Sequence, residues 1–165
     1  MMGDRTKHLI FAAVAAFVLI ADQITKYLIL HTIKLYSEIV VIPGCFNIVH
    51  VQNPGGAFGL FASESGMFRA LLFVAIAIVA IGLIFYLHYR SSARYRMLTV
   101  GFALIFSGAV GNLIDRLRFG RVIDFIDVYV GAYHWPAFNV ADSAITVGAA
   151  LLILDMILGA RRADD

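Results

Sequence analysis

The sequence predicts an all-α membrane protein: four transmembrane helices with both ends on one side of the bilayer and a small antiparallel sheet on the other. Three observations carry this. Of the 165 residues, 61% are hydrophobic and 15% charged, with a mean hydropathy of +0.87. A soluble domain has roughly 45–50% apolar and about 25% charged residues, and one this small keeps too much surface in water to hide the excess. The apolar residues fall in four stretches, each near the ~20 residues that cross a bilayer, and the basic residues favour the connections on one side. Together these exclude a soluble enzyme, a disordered chain and a disulfide scaffold. The net charge of +2 is too mild to indicate nucleic acid. Cys45 is alone, which leaves no disulfide framework and no CxxC motif, and it reads as a small apolar filler.

The first helix is expected over about 9–30, with Asp22, Gln23 and Lys26 in its second half. Arg5 and Lys7 before an uncharged run also resemble the start of a cleaved signal peptide. Apolar character resumes at Tyr27–Leu30, however, so the segment is expected to be retained. The region 36–62 holds two β-branched runs, Ile39–Ile42 and Phe46–Val51, separated by Pro43-Gly44. The second run ends at Asn53-Pro54-Gly55-Gly56, which predicts antiparallel strands with two turns. The second helix, about 69–88, contains an uncharged core at 70–87. The third is expected over about 97–115, interrupted only by Asn112, and the fourth over about 137–160 with Asp142 and Asp155. Between them the connection 116–136 mixes apolar and polar residues, with Tyr129, Tyr133 and Trp135 suited to a membrane interface. A short strand and an amphipathic helix both fit it.

Orientation follows from the basic residues. Arg5, Lys7, Arg90, Arg94, Arg96, Arg161 and Arg162 stand on one side, against Lys34, Arg116, Arg118 and Arg121 on the other. Positive charge is retained on the cytoplasmic side, so both termini are expected there. The three arginines of 116–136 run against this count.

Charged side chains inside a span cost about 2.5–3.5 kcal/mol on insertion scales and mark function by default. Their depth is what matters here. Asp22 and Lys26 lie in the outer half of the first helix, while Asn112, Asp115 and Arg116 lie at the outer end of the third. Asn139 and Asp142 lie in the first turns of the fourth, so Asp142 sits only a short way along it at about 1.5 Å per residue. Asp124 sits in the connection leading back to that helix. Asp22 and Lys26 are spaced i,i+4 with the acid first, the favourable order for a pair on one face, and such a pair can simply bond helices. Asn112, Arg116 and Asn139 admit the same plain reading, Asp155 that of a snorkelling residue, and Asp127 that of a solvent-facing loop residue. Ala103, Ser107 and Gly111 form a small-residue ridge for close helix approach. Asp124 and Asp142 differ, because only Arg121 stands at a pairing distance in sequence from either. Two carboxylates meeting at a membrane boundary cannot both ionise freely, so one holds a proton and an acid and a base share one site.

Other chemistries fit less well. None of the five histidines, His8, His31, His50, His88 and His134, falls within a helix core where it would meet Ser107 or Ser143, and no HExxH or paired-histidine spacing suggests zinc. A proton-coupled carrier would spread polar residues through the membrane, whereas here they gather at one level. A purely structural role leaves that convergence unexplained.

Five motifs in order then carry a family resemblance: Asp22-Gln23-Ile24-Thr25-Lys26; Asn53-Pro54-Gly55-Gly56-Ala57-Phe58; Gly108 to Arg116; Val122-Ile123-Asp124-Phe125; and Phe138-Asn139-Val140-Ala141-Asp142-Ser143-Ala144. The chain resembles lipoprotein signal peptidase (signal peptidase II), a bacterial inner-membrane aspartyl protease family. The resemblance covers almost the whole chain and implies one membrane domain over 1–165, four helices with an extracytoplasmic β-cradle over about 36–62, and an extracytoplasmic loop over about 116–136. It also implies Asp124 and Asp142 as the catalytic pair. Asn53, Gly55, Asn112, Arg116, Asn139, Asp22, Lys26 and Asp115 match positions that bind substrate or brace the site. The implied substrate is a diacylglyceryl-modified prolipoprotein, cut just before its lipidated cysteine. Acid–base hydrolysis by the pair requires no metal or other cofactor, and four helices of this size are expected to suffice as a monomer. The Pro54-Gly55-Gly56 run departs from the less rigid sequence of many relatives, and is expected to stiffen that loop.

Overall fold

Membrane-spanning length and a fixed set of caps define the helices of the computed structural model, which describes residues 3–55, 66–92 and 96–161. Among these residues the order is α1 (Asp4–Thr32), β1 (Glu38–Ile42), β2 (Phe46–Asn53), α2 (Gly66–Arg90), α3 (Arg96–Phe119), β3 (Val122–Val130), β4 (Tyr133–His134) and α4 (Val140–Arg161). Gly56, Ala57 and Phe58 of the second motif, the end of the expected cradle, Arg94 and Arg162 lie outside the described residues. All four helices are long and apolar enough to cross a bilayer. In α2 Ala77 alone is buried along the most apolar stretch among the described residues, and Leu71, Ile78, Val79 and Phe85 are all exposed. That surface is stable only against hydrocarbon, where helices satisfy their own backbone groups.

The helix ends have local causes. Past 115, α3 continues to Phe119 and stops at Gly120, whose φ of +68° closes the helix while its N–H donates to Arg116 O (2.9 Å). At the fourth span, α4 begins at Val140 rather than near 137 because Asn139 caps it. The Asn139 Oδ1 accepts the N–H of Asp142 at 2.9 Å, and Phe138 bridges instead to Ile126. On the side away from the sheet, the buried Lys7 ammonium donates to Ser91 O (2.6 Å) and Tyr89 O (3.3 Å), satisfying carbonyls left over at the end of α2. His88, in the last turn of α2, is buried and stacks on Phe11 with ring centroids 4.0 Å apart; a histidine within the bundle was not expected.

The antiparallel sheet has the order β1-β2-β3-β4. It is larger than 36–62 alone supplies, because the connection after α3 resolves as β3 and β4. Val122, Ile123, Asp124 and Phe125 are buried in succession, as befits a strand wedged between β2 and the helices. An irregularity between Ile48 and Val51 shifts the β2–β3 register, so that Val51 faces Asp124 and Asn53 faces Val122. Ile29, Ile33, Ile123 and Phe125 form a buried cluster joining the end of α1 to β3, with Val140 of α4 packed on it. Two expectations change here. Asp127 is buried rather than solvent-facing, bound by Asn47 Nδ2 (3.0 Å) and paired with His134 Nδ1 (2.9 Å). Cys45 is exposed at the β1–β2 turn rather than filling a core.

The α3–α4 contact depends on missing side chains. A Cβ on Gly108 would lie 2.4 Å from Ala141 O, and one on Gly111 2.5 Å from Asp22 Oδ2. The expected ridge is thus split. Gly111 meets α1 and α4, Ala103 packs with Phe11 and Phe102, and the Ser107 hydroxyl turns back to Ala103 O (2.8 Å).

Candidate active site

The close approach at Gly111 brings Asp22 of α1 to the first turn of α4, where its Oδ1 accepts the N–H of Ala141 at 2.9 Å. Asp22 Oδ2 pairs with Lys26 Nζ at 3.0 Å, and the same ammonium reaches Asp115 Oδ2 at 2.9 Å and Asn112 Oδ1 at 3.0 Å. All three lysine protons are therefore used, and Lys26, Asp22 and Asp115 are 2% exposed or less. Buried charge at this depth is tolerable only when fully partnered. Asp115 Oδ2 also accepts the backbone N–H of Ile123 (3.2 Å), which ties the end of α3 to the strand carrying Asp124.

Two asparagines join this ionic cluster to the acids. Asn112 Oδ1 is held by Lys26 and by Asn139 Nδ2 (3.3 Å), which leaves Asn112 Nδ2 aimed at Asp142 Oδ1, 2.7 Å away. The cap on α4 fixes Asn139 in the same way. Its Oδ1 is taken by the Asp142 N–H, so its Nδ2 faces β3, donating to Asp124 Oδ1 (2.7 Å) and Ile123 O (3.2 Å). The other oxygen of Asp124 accepts from Asn53 Nδ2 at 3.1 Å. Asn53 is fixed in turn by the N–H of Gly55 on its Oδ1 (2.9 Å). Gly55 has φ +98° and lies against the Phe73 ring, which an added Cβ would enter; only glycine meets both demands. Arg116 donates to Asn112 O (3.3 Å) and stands over the Phe73 ring at 5.4 Å. Its buried Nε has no partner among the described residues.

All ten residues singled out from the sequence, Asp124, Asp142, Asn53, Gly55, Asn112, Arg116, Asn139, Asp22, Lys26 and Asp115, thus fall in one contiguous assembly. Burial pushes the Asp124 carboxyl up to about 7, and repulsion from Asp142 adds to this. The amides of Asn53 and Asn139 and the charge of Lys26 pull the other way without cancelling it. Beside Asp142 opens a largely apolar cavity of about 470 Å³ bounded by Trp135, Phe138, Ser143, Thr146 and Val147.

Sequence reasoning left out some participants. Gln23 Nε2 touches both Asp22 Oδ2 (3.1 Å) and Asp115 Oδ1 (3.3 Å); its signal was an amide inside a span, next to an acid. Phe73 and the backbone N–H groups of Ile123 and Ala141 carry no signal in residue type at all.

The chain is similar to known proteins in sequence and in fold. Lipoprotein signal peptidases of Desulforapulum autotrophicum and Geobacter metallireducens are 49% and 48% identical to the chain, covering 92% and 96% of it and 94% and 96% of their own lengths. That of Geobacter sulfurreducens is 50% identical over 93% of the chain and 94% of its own length. Two solved structures of a bacterial membrane enzyme obtained by the in meso method superpose with TM-scores of 0.80. They have 35% and 36% identity, covering 89% and 88% of the chain and 87% and 91% of those chains. The family model described as signal peptidase (SPase) II matches residues 14–158, from the first span to near the end of the fourth. By sequence, length and fold, the chain belongs to the signal peptidase II family.

Proposed function

We propose that Asp124 and Asp142 are the acid–base pair with which this membrane protease removes the signal peptide from diacylglyceryl-modified prolipoproteins, cutting before the lipidated cysteine. One observation carries the assignment: carboxylates from β3 and α4 are each oriented by an asparagine amide, and the two amides, Asn139 and Asn112, are bonded to each other. A purely structural acid needs its charge matched, as Lys26 does for Asp22 and Asp115. Asp124 and Asp142 have no ion-pair partner among the described residues.

We assign the proton shared by the pair to Asp124, which burial and the neighbouring Asp142 push up to about 7, and the role of base to Asp142. Asp142 takes a proton from a water between the two acids as that water's oxygen attacks the scissile carbonyl carbon. Asp124 gives its proton to the carbonyl oxygen, forming a neutral tetrahedral diol. Collapse then breaks the C–N bond. The proton on Asp142 goes to the leaving amine and Asp124 recovers one from the diol, which restores the starting state. The buried Nε of Arg116, without a partner among the described residues, is assigned as a donor to the substrate backbone. The cavity beside Asp142 offers an apolar surface for the substrate's lipid or signal helix, which brings the bond to a site where the spans meet the sheet. The chain acts as a monomer in the bacterial inner membrane, with both termini cytoplasmic and the sheet outside, as the distribution of arginine and lysine supports.

Purified protein given a diacylglyceryl-modified prolipoprotein tests this directly. Asp124→Asn and Asp142→Asn should each lower kcat at least about 10³-fold, within the range of lost acid–base catalysis, with unchanged detergent-solubilised folding. Cleavage by either folded variant at the wild-type rate overturns the assignment.

A further inference from the structure

The arginines at the end of α3 and just after it, Arg116, Arg118 and Arg121, run against the expected orientation, and the mechanism uses only the first of them. Arg118 is exposed, stands over the Phe119 ring at 5.0 Å, and makes no ion pair or hydrogen bond among the described residues. It borders a cleft of about 280 Å³ between the ends of α1 and α3 and the start of β3. The walls are apolar, from Leu30, Phe119 and Ile123. At the floor are Lys26, Gln23 and Asp115, but these are saturated. Lys26 uses its three protons, Asp115 accepts from Lys26, Gln23 and Ile123 N–H, and its charge is matched by Lys26.

A ligand's polar group therefore belongs at the mouth, where Arg118 and His31 stand. His31 Nδ1 is bonded to Tyr27 O (2.7 Å) and its ring lies 4.0 Å from that of Tyr27, so Nε2 is left without a partner among the described residues. Tyr27 and Phe119 are exposed on the outside of the helices; Phe119 ends α3, and Tyr27 lies less than two turns from the end of α1 on the sheet side. A cation at that level above a cleft with apolar walls and a saturated polar floor matches a lipid phosphate with an acyl segment along those walls, and basic pockets between membrane helices bind phospholipid head groups on this principle.

We propose that this cleft binds an anionic phospholipid of the sheet-side leaflet, its phosphate on Arg118 beside His31 and its first acyl segment against Leu30, Phe119 and Ile123. The lipid would bridge α1, α3 and β3 on the side of the Lys26 cluster away from the catalytic pair.

Binding is measured on full-length protein in detergent, by native mass spectrometry and by the shift in unfolding temperature. Phosphatidylglycerol, phosphatidylcholine and inorganic phosphate are titrated separately. Phosphatidylglycerol should bind about fivefold more tightly than phosphatidylcholine, the worth of one basic residue at a membrane surface, and inorganic phosphate should give no shift. Arg118→Ala should lose the preference and Arg118→Lys retain most of it. His31→Gln, on the other helix, should weaken binding of phosphatidylglycerol. The lipid-free unfolding temperature of each variant shows that it is folded, so the outcome is independent of the proteolytic reading. Equal binding of the two lipids, a preference surviving in Arg118→Ala, or a shift with inorganic phosphate equal to that with lipid would each overturn the proposal.

Discussion

Asn112 donates to Asp142 across 2.7 Å, and can do so in only one orientation because Lys26 occupies its amide oxygen. A buried ion cluster thereby sets the direction of a hydrogen bond to a proposed catalytic acid. Replacing Asn112 with Ala should lower kcat about 10²-fold while leaving KM within a few-fold, since the group acts on a reacting carboxylate rather than on the substrate. Asn112→Asp should be worse, because it places a further carboxyl against Asp142. Steady-state cleavage of a prolipoprotein in detergent micelles measures both.

Lys26 balances two acids at nearly zero exposure. Lys26→Met leaves Asp22 and Asp115 buried without a cation, which should cost about 3–5 kcal/mol and lower the unfolding temperature in detergent. Adding Asp22→Asn to that variant should restore part of the loss, because it removes one of the stranded charges.

The pH dependence follows from Asp124. Its carboxyl is held up to about 7, against roughly 3.9 in an unfolded chain. Between pH 4 and 7 the folded state therefore binds the extra proton, so this group's contribution to stability is full below about pH 4 and is lost as pH rises through about 7. Unfolding temperatures across that window should fall with pH, and Asp124→Asn should flatten the slope. With Asp124 as the acid, kcat/KM should also decline above about pH 7. A profile that keeps rising to pH 9 would assign the proton elsewhere.

Gly108 sets how closely α3 and α4 approach. Gly108→Ala puts a carbon against the backbone oxygen of Ala141, one residue before Asp142, so the first turn of α4 has to move. A loss of about 1–3 kcal/mol is expected from overpacking, with a fall in kcat. Gly82→Ala, where an added Cβ meets nothing within 4 Å, should change neither, and serves as the control in the same unfolding and cleavage assays.

The spans were legible because a bilayer imposes a simple rule on sequence: a long run without charge reads the same in any helix packing. The polar residues inside those runs were legible for the complementary reason, since each costs several kcal/mol unless it is used. On these grounds Asp22, Lys26, Asn112 and Asp142 stand out from composition and depth alone. The role division between Asp124 and Asp142 on one hand and Asp22 and Asp115 on the other is clearer in three dimensions. Asp115 and Asp124 are both acids near the same boundary, and only packing puts Lys26 on the first and an asparagine on the second.

What the sequence by itself determined is the number and rough extent of the helices, the level at which the acids lie and, through its motifs, the family. Only the tertiary structure decided that 122–130 is a strand, that Asp127 is buried, and that Asn139 serves at once as the cap of α4 and the donor to Asp124. The physical reason is the range of the forces involved. Burial and charge cost act on each residue in its own segment and leave a periodic trace. The orientation of an amide depends on partners from other helices and strands, and those meet only where Gly108 and Gly111 let α1, α3 and α4 close together.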